Sequence, residues 1–269
     1  DTGVDLGDDD YVLMTIGSLV DNSDEGDHRT AATLNRGPAS AWDLWKKIAR
    51  KDPSFGRPEV FCSSIDETKW ESATVTTLDA RIPEHIERIC QRDPFSGKVV
   101  TGGIVTVKDS NWLMSWTINR QPHFAAQKPN ELTIWFYGLM IDTPGDFIPK
   151  PMRECTGEEI CQEWLYHLGV PEDQIPELAK NSCITRPCAL PFVTAFFMPR
   201  TKGDRPQVVP EHVTNFAFLG QFAETVRDTI FTTEYSVRTA MEAVYQLLDV
   251  ERGVPEVWGS VYDVRELLK

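Results

Sequence analysis

The chain alternates between short β-rich apolar runs and stretches in which apolar residues recur every three to four positions. Tyr11 to Ile16 (YVLMTI) is a compact apolar run ending in Gly17-Ser18. This predicts a buried strand whose C-terminal turn passes close to another group, a ligand being one candidate. Residues 21 to 38 are polar and glycine-rich and read as a loop, after which Ser40-Ala-Trp-Asp43 opens a helix with Trp45, Ile48 and Ala49 at helical spacing. That helix is expected at the surface. From Val99 the runs VVTGGIVTV, WLMSWTI and LTIWFYGLMI predict a meander, separated by Lys108-Asp-Ser-Asn111 and a longer loop from Asn119 to Asn130.

Thr156-Gly-Glu-Glu159 has the form of a capping box, with Ile160, Trp164, Leu165 and Leu168 following on one face and Gly169 and Pro171 closing the helix. A second short helix is predicted over Glu172 to Lys180, and the proline-bounded run Phe192 to Met198 (FVTAFFM) predicts a return to strand. The last eighty residues read as strand (Asn215 to Gly220), loop through Thr229, and helix from Thr233 to Leu248 with Val237, Met241, Val244 and Leu248 at helical spacing. The fold class is therefore mixed α/β. The two ends carry strand endings like those of nucleotide domains, and the middle forms its own sheet and helix layer.

Composition narrows the function. With 41% hydrophobic and 25% charged residues over 269 positions, the chain has material for one large or two smaller globular domains. Forty-one acidic against 27 basic residues give a formal charge of -14, which speaks against nucleic acid as a partner. The same charge opposes a broad landing on an anionic bilayer, though a local patch leaves room for peripheral membrane contact. No apolar run approaches the ~18 residues of a membrane-spanning helix. The six cysteines never form a C-x-x-C pair, so neither a disulfide framework nor a zinc site is indicated, and reduced thiols in the cytoplasm are expected. The acidic start at Asp1, directly before a strand, reads like a chain entered midway.

Two clusters carry candidate chemistry. In Trp116-Thr-Ile-Asn-Arg-Gln-Pro-His123, a strand runs out and Thr117, Asn119, Arg120 and His123 crowd into one turn. Alternation puts Thr117 and Asn119 on one side, and a hydroxyl, an amide and an imidazole suit a carboxylate. The competing reading is that they satisfy the turn's own backbone. The second cluster is Gly220-Gln-Phe-Ala-Glu224 leading to Thr232-Thr-Glu-Tyr-Ser236, where a glycine at a strand end and a helix N-terminus suit a flat ligand with carbonyl oxygens. Its plain alternative is a strand-to-helix turn with Thr232 or Thr233 as N-cap. His85, His167 and His212 have no neighbours in sequence that read as metal ligands, and Cys183 and Cys188 match no common metal spacing. The aromatic run Trp112, Trp116, Trp135, Phe136 and Tyr137 fits either an acyl tunnel or, more simply, sheet core.

Residues 192 to 248, with TINRQPHF at 117 to 124 and DYVLMTIGSLVDNS at 10 to 23, closely resemble the C-terminal half of oleate hydratases, the myosin-cross-reactive antigen family. The resemblance covers essentially the whole chain. It implies an FAD-binding, Rossmann-like flavoprotein with an inserted sheet-and-helix substrate domain. Residues 1–24 and 191–269 would belong to the FAD-binding domain and 25–190 to the substrate domain. It implies a cytoplasmic hydro-lyase that adds water to the cis double bond of free unsaturated fatty acids, taking oleate to 10-hydroxystearate. Thr117, Asn119 and His123 would bind the fatty acid carboxylate, and Thr15, Gly17, Ser18, Gly220, Gln221, Phe222, Thr232, Thr233 and Ser236 would contact FAD. The family's dinucleotide fingerprint and the Glu and Tyr assigned to hydration map to no residue of this chain, so an N-terminal half is expected as partner, with a homodimer as a further one. The alternatives are an FAD oxidoreductase acting on a hydrophobic substrate and a non-catalytic fatty acid binding fragment.

Overall fold

The structure is a computed structural model that describes residues 3–225 and 233–255. The strands are β1 (Val12–Thr15), β2 (Asp24–Glu25), β3 (Trp70–Thr77), β4 (Val105–Thr106), β5 (Ser115–Thr117), β6 (Leu132–Gly138), β7 (Cys183–Leu190) and β8 (Phe216–Leu219). The helices are α1 (Ser40–Ala49), α2 (Glu59–Cys62), α3 (Ile65–Thr68), α4 (Arg81–Cys90), α5 (Gly157–His167), α6 (Ile175–Ser182) and α7 (Thr233–Leu247). They fall into two compact units. One is made of residues 1–21, 38–64 and 193–269, and the other, inserted into it along the chain, of 22–37 and 65–192.

The inserted unit is built on a six-stranded antiparallel sheet of order β2-β7-β3-β6-β5-β4. Its centre is β3, paired along its length with both β6 and β7. The sequence pattern conceals these two strands. WESATVTT is rich in polar residues, and CITRPCAL carries Pro187, which ordinarily argues against a strand. β2 pairs with Cys188 and Ala189 and Gly26 N just beyond it donates to the Pro187 carbonyl, so Pro187 lies where this short edge strand ends and a missing N–H costs little.

Strand alternation sorts the aromatic run. Along β6, Leu132, Ile134 and Phe136 face inward while Thr133, Trp135 and Tyr137 are half-buried on the other face. Trp164 of α5 stacks on Phe136 and meets Trp116 edge-on, and all three are buried. Trp112, Trp116 and Phe136 are thus core. The run VVTGGIVTV yields only the two residues of β4, the chain turning through Gly102 at a φ of 66°.

The capping box of α5 is complete: Thr156 Oγ1 accepts from Glu159 N and Glu159 Oε2 accepts from Thr156 N. Its buried face is Ile160, Trp164 and Leu165, with Leu168 just beyond, as the spacing predicts. The second helix sits slightly later than expected, as α6.

In the discontinuous unit, β1 and β8 run parallel in the register Val12↔Phe216 to Thr15↔Leu219, and α7 packs on β8. The predicted strand over 192–198 is not formed. Thr194 Oγ1 instead accepts from Phe196 N and caps a 3-10 turn over Ala195–Phe197. Nor is α1 a surface helix in the expected sense, because Trp42 and Trp45 are fully buried. They pack with Phe61 and Phe222 in one aromatic cluster. On α7 the buried side chains are Tyr235, Arg238, Thr239 and Ala243, whereas Val237 and Val244, and Leu248 just beyond its end, face outward. There the apolar spacing marks the exposed face.

Candidate functional site

Thr117 ends β5 opposite Trp135 and is half-buried. Its hydroxyl lies 3.0 Å from that of Thr101 and donates to the Gly103 carbonyl at 3.2 Å. Beyond it Ile118 is buried, and Asn119, Arg120 and His123 are exposed. The turn's own polar groups are satisfied by other residues. Buried Gln121 donates through Nε2 to the carbonyls of Asn119 and Thr133, and its Oε1 accepts from Thr133 N and from Gln127 Nε2. Gln127 also accepts from His123 N at 2.8 Å and donates to the Glu131 carbonyl. Among the described residues the side chains of Asn119 and His123 make no hydrogen bond, and the His123 imidazole rests edge-on against exposed Phe124. Two glutamines thus hold the turn and leave an amide and an imidazole facing outward.

The same sheet face carries Thr117 cross-strand from Trp135, then Tyr137, whose ring packs against those of Trp135 and Trp70. All three rings are half-buried. A short polar end therefore adjoins an aromatic strip.

In the discontinuous unit, Thr15 to Ser18 and Leu219 to Phe222 lie together at the carboxyl ends of the parallel pair, the edge at which open α/β sheets take ligands. Gly17 has φ 64°, and an added Cβ would meet the Phe222 ring at 2.7 Å. Gly220 has φ 86°, and its Cβ would meet Thr15 Cγ2 at 3.3 Å. Both glycines therefore serve close approach of the chain to itself. Gly220 N donates to Thr239 Oγ1, tying the strand end to α7. Gln221 Oε1 accepts from Ala195 N, Phe222 is buried, and the Ser18 carbonyl accepts from Trp42 Nε1. Thr15, Thr233 and Ser236 are exposed, and Thr232 lies outside the described residues. Of the residues expected to contact FAD, Thr15, Thr233 and Ser236 present exposed hydroxyls, whereas Gly17, Gly220, Gln221 and Phe222 are engaged within the chain. No glycine-rich turn among them would cradle a pyrophosphate.

One group that sequence spacing passed over is assembled by the fold. His167, which has no ligand-like neighbours by motif, stands beside Glu163 one helical turn earlier and Asp146 from the loop after β6. Glu163 is fully buried and accepts from the backbone N–H groups of Asp146, Phe147 and Ile148. Burial alone would push its carboxyl up, but His167 and these donors outweigh it and hold it below the usual range. The E-x-x-x-H spacing on a helix was the available signal. The contribution of Asp146 was not legible, since it depends on how the loop closes.

A six-stranded antiparallel sheet with its own helix layer, inserted along the chain into a unit with a parallel strand pair and a carboxyl-end turn, defines a mixed α/β protein of two units. The chain matches the MCRA family over residues 1–245 and belongs to it. It is 50% identical over 269 residues, 99% of this chain and 46% of the relative, to a Streptococcus pyogenes serotype M49 (strain NZ131) protein named "Oleate hydratase". It is 33% identical over 257 residues, 92% of this chain and 45% of the relative, to a Lactiplantibacillus plantarum protein named "Linoleate hydratase". The chain thus spans just under half the length of these two curated relatives.

Proposed function

We propose that this chain is the substrate-anchoring half of an FAD-dependent fatty acid hydratase, a hydro-lyase that adds water to the cis double bond of a free unsaturated fatty acid. The observation that carries the reading is the 50% identity, over 99% of the chain, to a protein named for oleate hydration. On this reading Asn119 and His123 donate to the fatty acid carboxylate, and Thr117 fixes the strand end from which they project. The strip of Trp135, Tyr137 and Trp70 gives the first part of the acyl chain an apolar surface.

Thr15, Gly17, Ser18, Gly220, Gln221, Phe222, Thr233 and Ser236 form the edge that closes over FAD, with Phe222 and the two glycines shaping the turn and the hydroxyls touching the ring; Thr232, outside the described residues, belongs to the same proposal. FAD would serve here as an ordering surface, because hydration transfers no net electrons. The acid that protonates the alkene and the base that activates water come from a complementary N-terminal half. A parallel pair of two strands supports that partner, since parallel sheets are ordinarily larger and covered on both faces. Among the described residues no helix is long and apolar enough to cross a membrane. A cytoplasmic location, a homodimer and peripheral membrane contact complete the proposal.

The test compares free oleate with its methyl ester in the enzyme carrying both halves. His123→Ala and Asn119→Ala are expected to lower turnover of the free acid by about 10- to 150-fold, the worth of one hydrogen bond to a charged group. The ester should be much less affected and FAD should stay bound. Equal losses on acid and ester, or bleaching of the flavin, would show that these residues are structural.

A further inference from the structure

Glu163 and His167 share one face of α5, four residues apart, and the loop after β6 brings Asp146 against them. One ligand atom from each lies within 4.8 Å of the others. His167 Nε2 is 3.2 Å from Glu163 Oε1 and 3.5 Å from Asp146 Oδ2. The imidazole is only 9% exposed, and Nε2, buried between two carboxylates, meets the hydrogen-bond geometry of neither. A charge-assisted hydrogen bond would close to roughly 2.7–2.9 Å. The observed separations are instead near the edge of a tetrahedron, about 3.3 Å for metal–ligand distances of about 2.0–2.1 Å. Gly145 is part of the fit, because a Cβ there would meet Glu163 Oε2 at 2.7 Å.

We propose that Asp146, Glu163 and His167 bind a divalent cation of the zinc class, with a fourth position open to solvent beside Asp146. Two carboxylates and one neutral imidazole balance a doubly charged ion and form the mixed oxygen and nitrogen set that zinc accepts. Backbone donors already orient both carboxylates: Asn111 N donates to Asp146 Oδ2, and Asp146, Phe147 and Ile148 N donate to Glu163. Bound there, the ion ties the loop around Asp146 to the C-terminal turn of α5. This inference stands apart from the hydratase reading.

The experiment uses tag-free protein carrying the whole chain, stripped with chelator and titrated with Zn²⁺, then with Co²⁺. One equivalent of zinc should survive gel filtration and raise the melting temperature, and cobalt should give the visible d–d bands of a tetrahedral site. His167→Ala should weaken binding by more than the ~10- to 100-fold that loss of an outer partner costs, and Asp146→Asn, which keeps the loop's volume, should do the same. A wild-type protein that retains no equivalent, or variants that bind zinc as tightly as wild type, would overturn the site.

Discussion

The two units treat their sheets in opposite ways. In the inserted unit six strands and their helices enclose a core with Trp164, Phe136 and Trp116 at its centre, while Ile104, Phe124 and Ile184 stay exposed at its surface. In the discontinuous unit the sheet has two parallel strands among the described residues, and Tyr11 and Leu13 each remain 48% exposed beside them. The first unit has a six-stranded sheet with a core of its own, and the second presents a short parallel pair with an exposed apolar face beside it. Substrate anchoring is proposed on the closed unit and cofactor closure on the open one. A rigid turn suits the former, and an edge that another segment completes suits the latter.

The largest effect should come from emptying the closed core. Trp164→Ala removes a buried indole that touches two other aromatic rings, a change that costs about 3–5 kcal/mol. Hydrogen exchange should accelerate in peptides covering β3, β6 and β7 and stay unchanged in those covering β1 and β8. Acceleration in both sets would show that the units unfold as one.

The converse variant is Gly17→Ala. Its Cβ would be forced against the Phe222 ring at a φ of 64°, and left-handed backbone in a non-glycine residue costs about 1–3 kcal/mol. The loss should appear in β1 and β8 exchange alone. A stability equal to wild type would mean that the turn and the Phe222 ring relax around the added methyl group.

This contrast was half legible in the sequence. The strand endings at Gly17 and Gly220 could be read because a glycine after a short apolar run is a local signal, and the capping box of α5 is likewise local. The centre of the inserted sheet was not. β3 hides behind Glu71, Ser72 and several threonines, and β7 behind Pro187, because what makes them strands is pairing with β6 and with each other. The turn at Asn119 to His123 was visible as a polar cluster. That Gln121 and Gln127 would satisfy its backbone was not, because it depends on a close approach to Thr133 and Glu131.

The closed core contains a buried carboxyl group. Glu71 is fully buried on β3, neither carboxylate oxygen has a hydrogen-bond partner among the described residues, and burial pushes its carboxyl well above the ordinary 4.5. The folded state therefore keeps a proton that the unfolded state releases. The associated stability is full below about pH 4.5 and is lost as pH climbs toward the raised folded value, at about 1.4 kcal/mol per pH unit. Melting temperatures of wild type should decline over that window, and those of Glu71→Gln should be flatter. Parallel profiles would show that Glu71 is not the group responsible.

The smallest effect sharpens the comparison at one helix end, in the segment that also positions Glu163 and His167. Thr156→Ala removes the oxygen that accepts from Glu159 N, leaving a first-turn N–H of α5 without its cap. Such a loss costs about 1 kcal/mol. Glu159 is also held by Lys150 Nζ at 2.6 Å and still accepts from Thr156 N, so the helix start should loosen without melting. Thr156→Ser keeps the oxygen and should recover most of the loss, separating the hydrogen bond from the packing of the methyl group. If Thr156→Ala and Thr156→Ser were equally destabilised in denaturant titrations, the methyl contact and not the cap would be fixing where α5 begins.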